Sequence, residues 1–222
     1  MTHARIRSLH LEGKAGQLEA LLNIGAENAE YAAVVAHPHP LFGGTMHNKV
    51  VFHAMKALNA FGFPVLRFNF RGVGTSTGEH DYGRGEIDDV RTAVEWMKRE
   101  YDLPLIFAGF SFGAATGLRA VCGDRGVAGI AALGLPLNAD GRTYDYSLLT
   151  KCTQPKLFLS GDHDEFADPS ALRRTVDSAA EPKRFVLVPN ADHFFTGRLD
   201  EMRAALENWV EDVFVATRQT PL

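Results

Sequence analysis

From Tyr31 onward, this chain of 222 residues alternates short apolar runs with longer segments whose apolar residues recur at helical spacing. That alternation constrains the fold more than any other feature, because each such run needs cover on both faces. "YAAVVAHP" (31–38), "PVLRFNF" (64–70), "LPLIFAGF" (103–110), "GVAGIAALGL" (126–135), "PKLFLSG" (155–161) and "KRFVLVP" (183–189) read as strands. Between them, "HNKVVFHAMKALNAFG", "GEIDDVRTAVEWMKREY", "GAATGLRAV" and "PSALRRTVDSAA" read as helices, and "LDEMRAALENWVEDVFVAT" closes the chain as another. In the second of these, Ile87, Val90, Val94 and Met97 form an apolar stripe, and acids fill the first turn. Upstream, "RIRSLHL" and "QLEALLNI" flank the turn residues "EGKAG", which predicts an antiparallel hairpin. The expected architecture is α/β, a mostly parallel, doubly wound sheet of about eight strands with this hairpin at its edge and helices on both faces. No linker or internal repeat divides it, so residues 1–222 are expected to form one domain.

Composition narrows the function. A net charge of −4 builds no positive field, so nucleic acid is not an expected partner. "GVAGIAALGLPL" is too short and glycine-rich to span a bilayer, and the N-terminus lacks the apolar stretch of a signal peptide. Cys122 and Cys152 match no metal spacing. They read as reduced thiols of a cytoplasmic protein without membrane association.

Two stretches fit the nucleophile pattern G-x-S-x-G: "GTSTG" at 74–78 and "GFSFG" at 109–113. Both follow a predicted strand, at the sheet edge where parallel folds bind ligands. After Ser76 comes a polar, glycine-rich loop, whereas after Ser111 a helix starts at once. A catalytic serine needs the second arrangement: a sharp strand-to-helix turn presents the hydroxyl, and the helix start offers free N–H groups to an oxyanion. Ser111 is the expected nucleophile and Ser76 a loop residue.

A serine hydroxyl needs a base, and the base needs an orienting acid. In chain order the acid and then the histidine should follow the serine, each after a strand. "DHDEFAD" after "PKLFLSG" supplies Asp162, Asp164, Glu165 and Asp168, and "NADHFF" after "KRFVLVP" supplies His193. Asp164, on the crest of its turn, is the favoured acid and Asp162 the fallback. Asp168, before Pro169, is placed to cap the next helix. Of the two oxyanion donors, one is expected from Phe112 and the other from "HPHPLFGGTMHNK". Pro38 and Pro40 carry no N–H, leaving His39, with Leu41 next.

These motifs resemble those of the α/β-hydrolase superfamily over about residues 6–214. More narrowly, the chain is similar to small, lidless bacterial hydrolases with an "HPHPLFGGTMHNK" loop, related to dienelactone hydrolases and the catalytic domain of X-prolyl dipeptidyl peptidases. "RGVGTSTG" is a recurrent loop of that superfamily. The resemblance implies Ser111, Asp164 and His193 as a triad, with the His39 and Phe112 amides as oxyanion hole and no cofactor or metal. It departs from the dienelactone hydrolases in one respect, because their nucleophile is a cysteine.

Only about 17 residues, 138–154, separate "AALGLPL" from "PKLFLSG". They leave room for a short helix over "TYDYSLL" but no cap. Leu41, Phe42, Phe110, Phe166 and Phe194 adjoin the catalytic loops and are the candidates for an apolar substrate pocket. The expected activity is a carboxylesterase for small, relatively hydrophobic, short-acyl esters, with a peptidase or thioesterase on the same triad as alternative. Two other classes remain open: an inactive binding protein on the same fold, and a metal-dependent hydrolase using the "HPH" histidines with His47, Asp162, His163 or His193.

Overall fold

In a computed structural model, residues 6–139 and 141–216 are described, the side chain of Arg142 excepted. Among them, eight strands form one sheet in the order β1-β2-β4-β3-β5-β6-β9-β10. The strands are β1 (Ile6–Gly13), β2 (Gly16–Asn23), β3 (Ala32–Ala36), β4 (Val65–Phe68), β5 (Leu105–Phe110), β6 (Val127–Leu133), β9 (Lys156–Gly161) and β10 (Lys183–Val188). β1 and β2 form the expected hairpin, β2 runs antiparallel to β4, and every other pair is parallel.

The period-2 geometry of a strand explains how one apolar run serves two cores. In β3, Ala32, Val34 and Ala36 face one cluster, which also takes in α2 (Glu86–Tyr101), α3 (Phe112–Val121) and α4 (Pro169–Asp177). Ala33 and Val35 face the other, built with α1 (Lys49–Ala60) and α5 (Leu199–Val210). The sheet is thus covered on both faces, and β4, β3, β5 and β6 lie at its centre. The chain leaves β3 for β4 on one side and returns to β5 on the other, so a crevice opens beyond the C-terminal ends of β3 and β5.

Two expectations are corrected. The segment expected as a short helix over 143–149 starts instead as a small hairpin, β7 (Asn138–Ala139) with β8 (Arg142–Thr143). A 3-10 helix follows only at Ser147–Lys151. Asp145 accounts for the late start, because its carboxylate accepts from the N–H and hydroxyl of Ser147 and so turns the chain there. The closing helix also changes pitch: α5 ends at Val210 and one wider turn spans Glu211–Val215, while Thr217 lies outside the described residues.

The first turn of α2 holds more than dipole charges. Asp89 is buried and takes the Arg71 guanidinium side-on, with Nη2–Oδ1 at 2.7 Å and Nε–Oδ2 at 2.9 Å. Glu86, also buried, accepts from the N–H groups of Asp81 and Gly83, both at 2.8 Å. These two acids fold the long loop after β4 onto α2. A buried, bidentate pair of this kind leaves little freedom to the loop it anchors.

Candidate active site

β5 is buried along its whole length and ends against the start of α3 in a turn that only a strained residue can occupy. That residue is Ser111, with φ 54° and ψ −118°. The flanking glycines are required by contact. A Cβ on Gly109 would lie 2.5 Å from the Gly113 carbonyl oxygen, and one on Gly113 would lie 2.5 Å from the His37 carbonyl oxygen. Helix and sheet can therefore approach closely, and Ser111 is lifted out at the crevice.

The hydroxyl so presented meets the chain's far end. His193 stands in the loop after β10, and its Nε2 lies 2.9 Å from Ser111 Oγ. Its Nδ1 lies 2.9 Å from Asp164 Oδ2 and 3.0 Å from Oδ1. Asp164 is itself fixed by two donors, the Ser160 hydroxyl at 3.0 Å and the Phe166 N–H at 2.9 Å. Asp192 steadies the histidine loop by accepting from the N–H groups of Phe194 and Thr196. Imidazole and carboxylate are both buried, so water competes little for either contact. With a carboxylate on Nδ1, the ring proton sits there and Nε2 is left to accept from the serine.

The other acids of the loop lie elsewhere. Asp162 stands beside His163, at 3.5 Å from its Nδ1. Asp168 caps α4, accepting from the Ala171 N–H at 2.8 Å. The rival serine is buried: Ser76 Oγ accepts from Glu19 N and donates to Asn69 O, both at 2.9 Å. It fastens its loop to β2 and presents no hydroxyl to the crevice.

Phe112 opens α3, so its N–H belongs to the first-turn amides that have no acceptor within the helix. His39 faces it across the cleft mouth, the two rings 4.9 Å apart. The His39 carbonyl accepts from the N–H groups of Phe42 and Gly44, both at 3.1 Å, and a Cβ on Gly44 would collide with the Pro38 carbonyl. The loop is thereby held in one shape. Leu41, the second choice as oxyanion donor, turns its N–H to His39 Nδ1 at 3.2 Å.

A cavity of about 220 Å³ opens over Ser111 and His193. Phe42, Phe166 and Phe194 line it, as the sequence predicts, but two other candidates do not. Phe110 is fully buried: as the last residue of β5 it points into the core beside α1 and α5, its ring 5.1 Å from that of His193. Leu41 projects outward from the 3-10 turn Pro40–Phe42, 62% exposed. The sequence reading missed Tyr144, Ala139 and Asn48, which complete the wall. Tyr144 comes from the stretch expected to be helical, and Ala139 from the connection just before it. A hairpin after β6 was the one signal that could have found them.

Of the "HPH" histidines, His37 is turned into the fold. Its Nε2 accepts from the Phe70 N–H at 3.0 Å, and its Nδ1 donates to the Pro38 carbonyl at 2.6 Å. Burial pushes its pKa down to about 4, with the Pro38 hydrogen bond opposing in part. Both ring nitrogens are spent on main chain, so His37 has none to give a metal. Among the described residues, no three His, Cys, Asp or Glu side chains gather as metal ligands would.

A sheet of this order, with a strained serine on the turn after its central strand, is the architecture of the α/β hydrolases. The chain belongs to that family: the family described as "Alpha/beta hydrolase domain" matches residues 32–219. A serine hydrolase homologue from Coxiella burnetii is 35% identical, with a TM-score of 0.84 over 94% of this chain and 97% of that one. XC6422 from Xanthomonas campestris, described as a serine hydrolase without lid, is 34% identical, with a TM-score of 0.82 and 94% of each chain covered. The uncharacterized protein RP471 of Rickettsia prowazekii is 32% identical, over 91% of this chain and 87% of that protein. Among the described residues, no helix is long and apolar enough to cross a membrane.

Proposed function

We propose that this hydrolase is a carboxylesterase for small, apolar, short-acyl esters and works through an acyl-enzyme on Ser111. The observation that carries this reading is the unbroken line Ser111 Oγ–His193 Nε2 and His193 Nδ1–Asp164, opening into a small aromatic cavity. Ser111 Oγ attacks the ester carbonyl as His193 takes its proton, while Asp164 holds the imidazole and offsets the charge that forms on it. The Phe112 and His39 amides receive the oxyanion, His193 returns the proton to the leaving alcohol, and water then releases the acid by the same steps. No cofactor enters this chemistry.

The small cavity favours a short acyl group, and its phenylalanine walls favour an apolar one. A panel of p-nitrophenyl esters of rising acyl length, run beside aminoacyl-nitroanilides, tests both bond type and chain length. Turnover should be greatest on the shortest esters, at least about tenfold above the longest, and negligible on the anilides. Ser111→Ala should cost about a millionfold in turnover. Ser76→Ala should stay within about tenfold in turnover yet lose about 1–3 kcal/mol of stability, since it strips partners from the buried Asn69 carbonyl and the part-buried Glu19 N–H. Comparable activity losses in the two variants would overturn the assignment.

A further inference from the structure

Away from the cleft, the fold brings its two cysteines together. Cys122 follows the last turn of α3, its N–H donating to the Leu118 carbonyl, and Cys152 follows the 3-10 helix at Ser147–Lys151. Cys152 is 1% exposed within one of the two cores, and Cys122, part exposed, packs against that same core. One side chain stitches the two segments. Gln154 Oε1 lies 3.2 Å from Cys152 Sγ and accepts from Gly123 N at 2.9 Å, while Nε2 donates to the Val121 carbonyl at 2.8 Å. The neighbours of Cys122 on either side are thus gripped by the carboxamide that touches the other sulfur.

Lys156 supplies an unusual neighbour. It is 1% exposed, and among the described residues its hydrogen-bond partners are carbonyls, those of Cys152 at 2.5 Å and Gln154 at 2.7 Å. A buried ammonium held only by carbonyls favours negative charge close by, and the thiols are placed to supply it. The Cys122 S–H directed at it, aided by the Lys156 charge, holds Cys152 below the ordinary thiol range, and burial opposes. The same contact pushes Cys122 up. The two sulfurs are thus biased in opposite directions, Cys152 toward thiolate and Cys122 toward thiol.

We infer that Cys122 and Cys152 are a dithiol site that hydrogen peroxide oxidises to an intramolecular disulfide, linking the far end of the Ser111 helix to the segment that carries Tyr144. The thiolate attacks one peroxide oxygen and the O–O bond breaks. A sulfenic acid forms, and the departing hydroxide takes up a proton to leave as water. The second thiol attacks the sulfenic sulfur, the S–O bond breaks, a second water leaves and the S–S bond forms. Two thiols lose two electrons, and the peroxide gains them.

The test is a stoichiometric hydrogen peroxide treatment of the folded protein, followed by alkylation in denaturant and non-reducing peptide mapping. The expected result is one linked species containing both cysteines, neither of them alkylated, and recovery of both thiols on adding dithiothreitol. Cys122→Ser and Cys152→Ser should each be incapable of the linked species. Circular dichroism after oxidation should match the reduced protein. Full alkylation of both cysteines, over-oxidation of Cys122 alone, linkage between two chains, or linkage seen only in protein that has lost its circular dichroism would each overturn the assignment.

Discussion

At the scale of single residues, His37 sits where it cannot carry the charge it would accept in water. Its Nε2 takes the Phe70 N–H, and protonation would turn that acceptor into a second donor facing the first. Burial lowers its pKa from 6.5 to about 4. The unfolded chain therefore binds a proton in this window that the folded chain refuses, and stability falls as pH drops from about 6.5 toward 4. The contribution is fully present above the unfolded value and amounts to about 3 kcal/mol. Urea midpoints at several pH values between 7.5 and 4.5 should show it as a slope that His37→Gln flattens, although that variant is less stable at every pH. An unchanged slope would mean that other groups set the acid limit. From the sequence His37 was a candidate metal ligand; its partner Phe70 lies just beyond the end of β4, a contact no spacing rule reports. That Ser111, His193 and Asp164, rather than Asp162, come together was legible, because loops after parallel strands converge on one edge of such a sheet. Phe110 was misread for a related reason: the last residue of a strand points to whichever face its parity dictates, and here that is the core.

Elements were read most securely where a local signal starts or stops them. Pro169 after Asp168 marked the start of α4, and the structure has the carboxylate on the Ala171 N–H. Asp168→Ala should therefore cost about 1 kcal/mol in a denaturant titration and leave ester turnover unchanged. Asp164→Asn, four residues earlier, should do the reverse: it should keep most of the stability and lower turnover by about ten-thousandfold, as loss of the orienting acid does elsewhere. Equal effects from the two would mean that the whole loop, not one carboxylate, supports His193. The segment at 138–151 resisted reading because its strands are two residues each and pair only with one another. "TYDYSLL" suits a strand in its first half and a helix in its second, and the Asp145 turn that divides them depends on one side chain. That hairpin brings Tyr144 to the cleft. Tyr144→Ala should widen the cavity and shift preference toward longer acyl chains, read as the ratio of kcat/KM for octanoyl and butyryl p-nitrophenyl esters.

Across the whole molecule, the three groups of the proposed triad rest on parts of unequal strength. Ser111 stands between β5, buried along its length, and α3, which packs into the core. His193 follows β10, which lies at the sheet edge, pairs with β9 alone and is only half buried from Lys183 to Leu187. An edge strand with one ladder and partial cover opens at lower free energy than a central strand with two. Loss of β10 would carry the imidazole away while the central sheet stayed intact. Ester turnover should accordingly fail at lower urea than the far-ultraviolet dichroism. Amides of Arg184–Leu187 should exchange at least about tenfold faster than those of Ile106–Ala108. The opposing factor is α5, whose Trp209 and Leu206 are buried in the core shared with β9 and tie the C-terminal segment down from behind. If that anchor dominates, the two urea curves will coincide and the exchange rates of the two strands will converge. The edge would then be as firm as the centre, and the histidine would be lost only when the whole sheet melts.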